Sequence, residues 1–232
     1  MNLDVQLLES LNQFARMAPS VDVIVTLVTR SYVFKGGVMM CFVWWGWFRT
    51  HPDQERHRQA LMSVLFAALA TLIAARVLAL TLPHRIRPMH DMSVDMELPT
   101  GMPPILPGWS SFPSDHAALF GCLATGMFLV SRRAGWLASI YCVTVILLPR
   151  VYNGLHYPSD LLAGYGLGVL CVFLASREAC MRTVVRPVYT WFMQRPGLWY
   201  PLLFFISFQI ATLFDDLRNL AELIYKITQR TG

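Results

Sequence analysis

The chain has 232 residues, of which 55% are apolar and only 14% charged, with a formal net charge of +5. Soluble domains carry about 25% charged residues, so the composition excludes an ordinary soluble enzyme and points to an all-α polytopic membrane protein. The basic residues lie in short loops between apolar runs, so membrane topology rather than nucleic-acid binding accounts for them.

Leu3, Leu7, Leu8, Leu11 and Phe14 recur at helical spacing among Asp4, Glu9, Asn12 and Arg16. That pattern suits a helix lying on the bilayer interface, and it leaves no apolar core for a cleavable signal peptide. Residues 21–29 are apolar but too short to span, so 1–30 reads as one interfacial element. Six spans are expected near 32–48, 60–82, 115–131, 135–150, 160–176 and 199–214. With no linker to divide it, 1–232 reads as one domain, its catalytic helical core at 32–176 and an extra C-terminal span at 199–214. Trp44, Trp45, Trp47 and Phe48 read as an aromatic belt at a helix end. Gly164 and Gly168 form a GxxxG pattern that lets the fifth span pack closely on a neighbour. The five cysteines have no metal-like spacing and read as small apolar helix residues.

Arginines mark alternate loops: Arg49, Arg56 and Arg58 in 49–59, Arg132 and Arg133 in 131–134, and Arg177, Arg182, Arg186 and Arg195 in 177–198. The positive-inside rule places these loops in the cytoplasm. Loops 83–114 and 151–159 then face outward, and six spans would leave both chain ends outside as well.

Three polar clusters fall on that outer side. They are Arg85-Ile86-Arg87-Pro88, then Phe112 to His116, then Arg150 with His156 and Asp160. Helices alternate in direction, so the ends of spans two to five bring all three to one depth. Interfacial anchoring explains Arg132 and Arg133, but not histidines and aspartates gathered on one side only.

Phosphoryl transfer to a side chain needs a nucleophile, an acid for the leaving oxygen and fixed positive charge around the phosphate. His156 is the expected nucleophile, with Asp160 behind its imidazole as the orienting group. His116 is the expected proton donor. Arg87 and Arg150 are expected to grip phosphate oxygens bidentately, and Ser114 to add a donor at a helix start. No acidic cluster suggests a divalent metal, so neither metal nor other cofactor is expected.

These residues resemble the three-part signature of the type 2 phosphatidic acid phosphatase superfamily, across roughly residues 32–176. Arg87-Pro88 matches the end of the first motif, Pro113-Ser114 with His116 the second, and Arg150, His156 and Asp160 the third with its spacing intact. The resemblance implies that His156 forms a phosphohistidine, that Asp160 orients it and that His116 is the acid. Three positions depart from the pattern: Leu80 stands in place of the first-motif lysine, Asp115 in place of glycine and Pro149 in place of serine. Ser111 to His116 and Leu82-Pro83-His84 are similar to the branch acting on undecaprenyl pyrophosphate. That branch implies a multi-pass protein of the bacterial cytoplasmic membrane, with an outward-facing site and a membrane lipid phosphate as substrate.

A phosphatase or phosphotransferase acting on phosphatidylglycerol phosphate, phosphatidic acid or lipid A is the alternative. A non-catalytic lipid-binding or transport protein is the reading from another class. Two further residues belong to the expected phosphate site. Asp115 is either a helix-start residue favoured by the dipole or a partner for a nearby arginine. Arg76, the only charge inside the second span, is one turn from Leu80 and could supply the missing lysine's charge. Nothing in the sequence specifies an oligomeric state.

Overall fold

The computed structural model describes residues 3–215 and Leu220. Among the described residues, eleven α-helices follow one another: α1 (Leu3–Asn12), α2 (Pro19–Arg30), α3 (Val38–Phe48), α4 (Gln54–Thr81), α5 (Asp115–Gly126), α6 (Arg132–Tyr141), α7 (Leu148–Tyr152), α8 (Pro158–Ala175), α9 (Glu178–Cys180), α10 (Arg186–Met193) and α11 (Pro196–Ala211). π-Helical turns at Val33–Gly37, Cys142–Leu147 and Met181–Val185 lead into α3, α7 and α10. No strand occurs among the described residues.

Each expected span is a helix. α4, the run Arg132–Tyr152 and α8 are long and apolar enough to cross a bilayer. At 1.5 Å per residue, α4 is about 42 Å long, more than the roughly 30 Å hydrocarbon core. The runs Asp115–Leu129 and Pro196–Ala211 are shorter apolar helices, and Val33–Phe48 pairs with α2 across a 67° bend.

α4, α5 and α8 pack on one another at the centre. Gly164 and Gly168 make the α5–α8 contact possible, since a Cβ on either would lie 2.4 Å from the Ser114 or Ala118 carbonyl oxygen. The GxxxG pattern therefore faces α5 and draws the starts of α5 and α8 together.

Two expectations are corrected, the aromatic belt and the loop at 177–198. The described residues of 1–30 fold as two helices, and α1 packs on α7 and α8. Asn12 ties it there, donating to the Glu97 and Tyr152 carbonyls at 2.8 and 3.3 Å. The aromatic belt is only partly a belt: Trp45 and Phe48 are exposed, but Trp47 is buried edge-on against Tyr189, Phe192 and Tyr200. The basic stretch 177–198 is mostly helical, as α9 and α10. Apart from Leu220, the expected placement of the chain ends concerns residues outside the described ones.

Candidate active site

The three polar clusters meet in one cavity of about 590 Å³, bordered by Arg76, Arg87, Asp115, His116, Arg150 and His156. Loop 82–114 closes over it. Met89 N–H donates to the Gly154 carbonyl in the loop after α7, and Ser111 N–H donates to the Arg85 carbonyl within loop 82–114 itself, both at 2.9 Å.

His156 is buried, and its Nδ1 lies 2.8 Å from the Ser111 carbonyl oxygen. A carbonyl only accepts, so Nδ1 carries the proton and Nε2 presents its lone pair. Arg87 Nη1 sits 3.4 Å from that Nε2. Burial pushes the imidazole below its ordinary value, with Arg87 and Arg150 acting the same way and Asp160 against them. His156 is thereby held neutral with a nucleophilic nitrogen beside a guanidinium.

Asp160 does lie behind the ring, but its nearer oxygen is 3.8 Å from Nδ1. That oxygen accepts instead from the Tyr157 N–H at 2.8 Å, capping α8. The other oxygen accepts from Arg85 at 2.5 Å. Arg85 also donates to Ser159 Oγ at 2.7 Å and to Asp4 at 2.7 Å, and lies 4.2 Å from the centre of the Tyr157 ring. Asp4 in turn accepts from the Ser159 N–H at 2.9 Å. The expected direct Asp160–His156 contact is thus replaced by a backbone carbonyl, with the carboxylate fixed in an ion network reaching α1.

His116 borders the cavity with its Nδ1 2.8 Å from Asp115 Oδ1. The carboxylate fixes the ring through Nδ1 and leaves Nε2 as the nitrogen that exchanges a proton. Asp115 Oδ2 lies 3.8 Å from Arg76, whose guanidinium is 4.7 Å from the centre of the Trp109 ring. Asp115 thus pairs with both His116 and the half-buried Arg76.

The two arginines expected to grip phosphate differ. Arg87 donates to the Trp109, Leu155 and Ser110 carbonyls at 3.2, 2.9 and 3.3 Å. Three of its five N–H groups are thereby spent, leaving less of the bidentate grip expected of it. Arg150 is buried, and among the described residues its Nε has no hydrogen-bond partner. Ser114 departs further from expectation: fully buried, it caps α5 by accepting from the Ala117 N–H at 3.3 Å. Its hydroxyl is turned into the helix rather than the cavity.

Missed by the sequence reading are Ser111, whose role is played by backbone, and Lys35, which borders the same cavity from the turn before α3. A lone charge at the start of an apolar span was the available signal for Lys35.

Residues 60–182 match the PAP2 superfamily. The chain belongs to that superfamily. It is 43% identical over 61 residues to the bacitracin transport permease protein BcrC of Bacillus licheniformis, covering 26% of this chain and 30% of that one. With the undecaprenyl-diphosphatase of Sulfolobus acidocaldarius it shares 35% identity over 65 residues, 28% of this chain and 32% of the relative. The chain thus spans about a third of the length of these curated relatives. A crystal structure of a PAP2-type phosphatidylglycerolphosphate phosphatase from Bacillus subtilis superposes with a TM-score of 0.51. The sequences are 20% identical, and the superposition covers 79% of this chain and 86% of that one. At that identity the likeness shows a shared PAP2 fold.

Proposed function

We propose that the protein is a metal-independent lipid phosphatase that hydrolyses undecaprenyl pyrophosphate to the monophosphate and inorganic phosphate, through a phosphohistidine at His156. The observation that carries this reading is His156 itself, held in one tautomer by the Ser111 carbonyl with Nε2 beside Arg87 and His116 on the same cavity.

In the first step the Nε2 lone pair attacks the terminal phosphorus. The phosphorus–oxygen bond to the lipid monophosphate breaks, the electron pair stays on that oxygen, and His116 Nε2 protonates it. In the second step His116 takes a proton from water as the water oxygen attacks the phosphohistidine. The phosphorus–nitrogen bond breaks and its electron pair returns to His156 Nε2. Water is the only co-reactant. Arg87 and Arg150 offset the charge on the phosphate oxygens throughout.

The substrate assignment is supported by the undecaprenyl-diphosphatase alignment and by Ser111 to His116. A second reading, a phosphatase or phosphotransferase acting on phosphatidylglycerol phosphate, is favoured by the Bacillus subtilis likeness. An outward-facing site in a bacterial cytoplasmic membrane is the orientation of this reading, supported by the arginine-rich loops, which connect the opposite helix ends.

Phosphate release by the purified full chain from undecaprenyl pyrophosphate, phosphatidylglycerol phosphate and phosphatidic acid tests the assignment. The expected result is kcat/KM higher for the pyrophosphate lipid by about tenfold, or roughly 1.4 kcal/mol in the barrier. Preference for either phosphoglyceride would overturn it.

A further inference from the structure

Lys35 lies outside the PAP2 match at 60–182 and belongs to none of the three motifs. It sits in the π-helical turn Val33–Gly37, a kind of irregularity frequent at functional sites. Its neighbour Gly36 touches α11 so closely that a Cβ would lie 2.0 Å from the Ala211 carbonyl oxygen. That contact fixes the turn against α11, and Lys35 borders the cavity shared by His116, Arg150 and His156.

The side chain is a buried amine, with 4% of its surface exposed. Its ammonium lies 4.8 Å from the centre of the Tyr32 ring, and Tyr32 donates its hydroxyl to Asp215 at 2.5 Å. Among the described residues, no hydrogen bond or ion pair engages Lys35 Nζ. Arg150 is equally buried, at 4% exposed, with its Nε unpaired. Buried cations are paired as a rule, because desolvation penalises an isolated charge. Asp115 and Asp215 also border the cavity. Asp115 is held by His116 and Arg76, and Asp215 accepts from Tyr32, so the two buried basic groups still make a place that an anion completes.

The position opposite the missing first-motif lysine does not serve. Leu80 is 78% exposed and its side chain does not border the cavity, while Arg76 is already engaged by Asp115. We propose that Lys35 is a phosphate-binding residue of this site and supplies, from the turn before α3, the charge that position 80 lacks. The proposal rests on the cavity being a lipid-phosphate site, but not on which lipid is hydrolysed.

Binding of inorganic phosphate to the full chain in detergent, followed by its effect on the thermal midpoint, tests this directly. Lys35→Gln should weaken phosphate binding by at least about tenfold with the ligand-free midpoint unchanged, and Lys35→Arg by less than about threefold, since a charge-assisted hydrogen bond is retained. Equal phosphate affinity in Lys35→Gln and the parent would overturn the proposal, as would a parent that binds no phosphate. Should the variants not fold, acylation of Lys35 in the parent decides: saturating phosphate should slow it, and an unchanged rate overturns the proposal. Loss of phosphate affinity in Lys35→Gln, in a protein that hydrolyses none of the three lipids, would count against the proposed function alone.

Discussion

His156 Nδ1 lies 2.8 Å from the Ser111 carbonyl oxygen and 3.8 Å from the Asp160 carboxylate. A backbone group, which no substitution removes, therefore selects the reactive tautomer. Where a carboxylate alone fixes a catalytic imidazole, its amide replacement costs about 10⁴ in kcat. Here Asp160→Asn should cost only about 10², while His156→Ala should cost about 10⁶ in kcat. Single-turnover rates of both variants check this. A 10⁴-scale loss in Asp160→Asn would restore the carboxylate as the orienting group.

The depressed pKa of His156 has a kinetic signature. Burial first, then Arg87 and Arg150, lower it, so the imidazole stays neutral as pH falls below its ordinary value of about 6.5. The acid limb of kcat/KM should accordingly lie below about pH 6.5. Asp160 is the group that raises the value, so Asp160→Asn should move the limb further to acid. Movement of the limb toward neutrality in that variant would contradict the assignment to His156.

Asp115 holds His116 Nδ1 at 2.8 Å, where it stabilises the proton-donating form. Asp115→Asn should therefore lower kcat on lipid substrates by about 10²-fold, the lower range of general acid catalysis. It should barely affect an aryl phosphate, whose leaving oxygen needs no proton. Comparable losses on both substrates would show that Asp115 acts on phosphate binding rather than through His116.

Arg76, Arg87 and Arg150 border this cavity, where a metal-dependent phosphatase would gather carboxylates around a cation. Rates measured after exhaustive treatment with EDTA should agree with untreated rates to within about twofold. Complete loss, restored by magnesium, would assign the wrong reaction class.

Gly168 packs against α5 so tightly that a Cβ would approach the Ala118 carbonyl to 2.4 Å, whereas nothing lies within 4 Å of a Cβ at Gly166. Gly168→Ala should destabilise the fold by about 1–3 kcal/mol through overpacking, and Gly166→Ala should be neutral or slightly stabilising in the helix. Thermal midpoints in detergent compare the two. Equal midpoints would show that α8 shifts freely away from α5.

The sequence by itself determined the membrane class, the positions of the six apolar runs and the meeting of the three clusters at one depth. Those features follow from composition, span length and the alternation of helix direction, all of which are local or additive along the chain. The spacing from Arg150 to Asp160 likewise needs only the turn into α8. Tertiary structure alone decided what each side chain faces. The Ser111 carbonyl reaches His156 across 45 residues, and a backbone oxygen has no residue-type signature. Ser114 looked like a phosphate donor, but the start of α5 takes its hydroxyl as a cap. Arg87 spends its donors on carbonyls that become neighbours only when loop 82–114 folds over α8. Arg76 and Leu80 are four residues apart, which at 3.6 residues per turn leaves a rotation of about 40° between them. At the rim of a helix that angle is enough to put Arg76 in the cavity and Leu80 outside it.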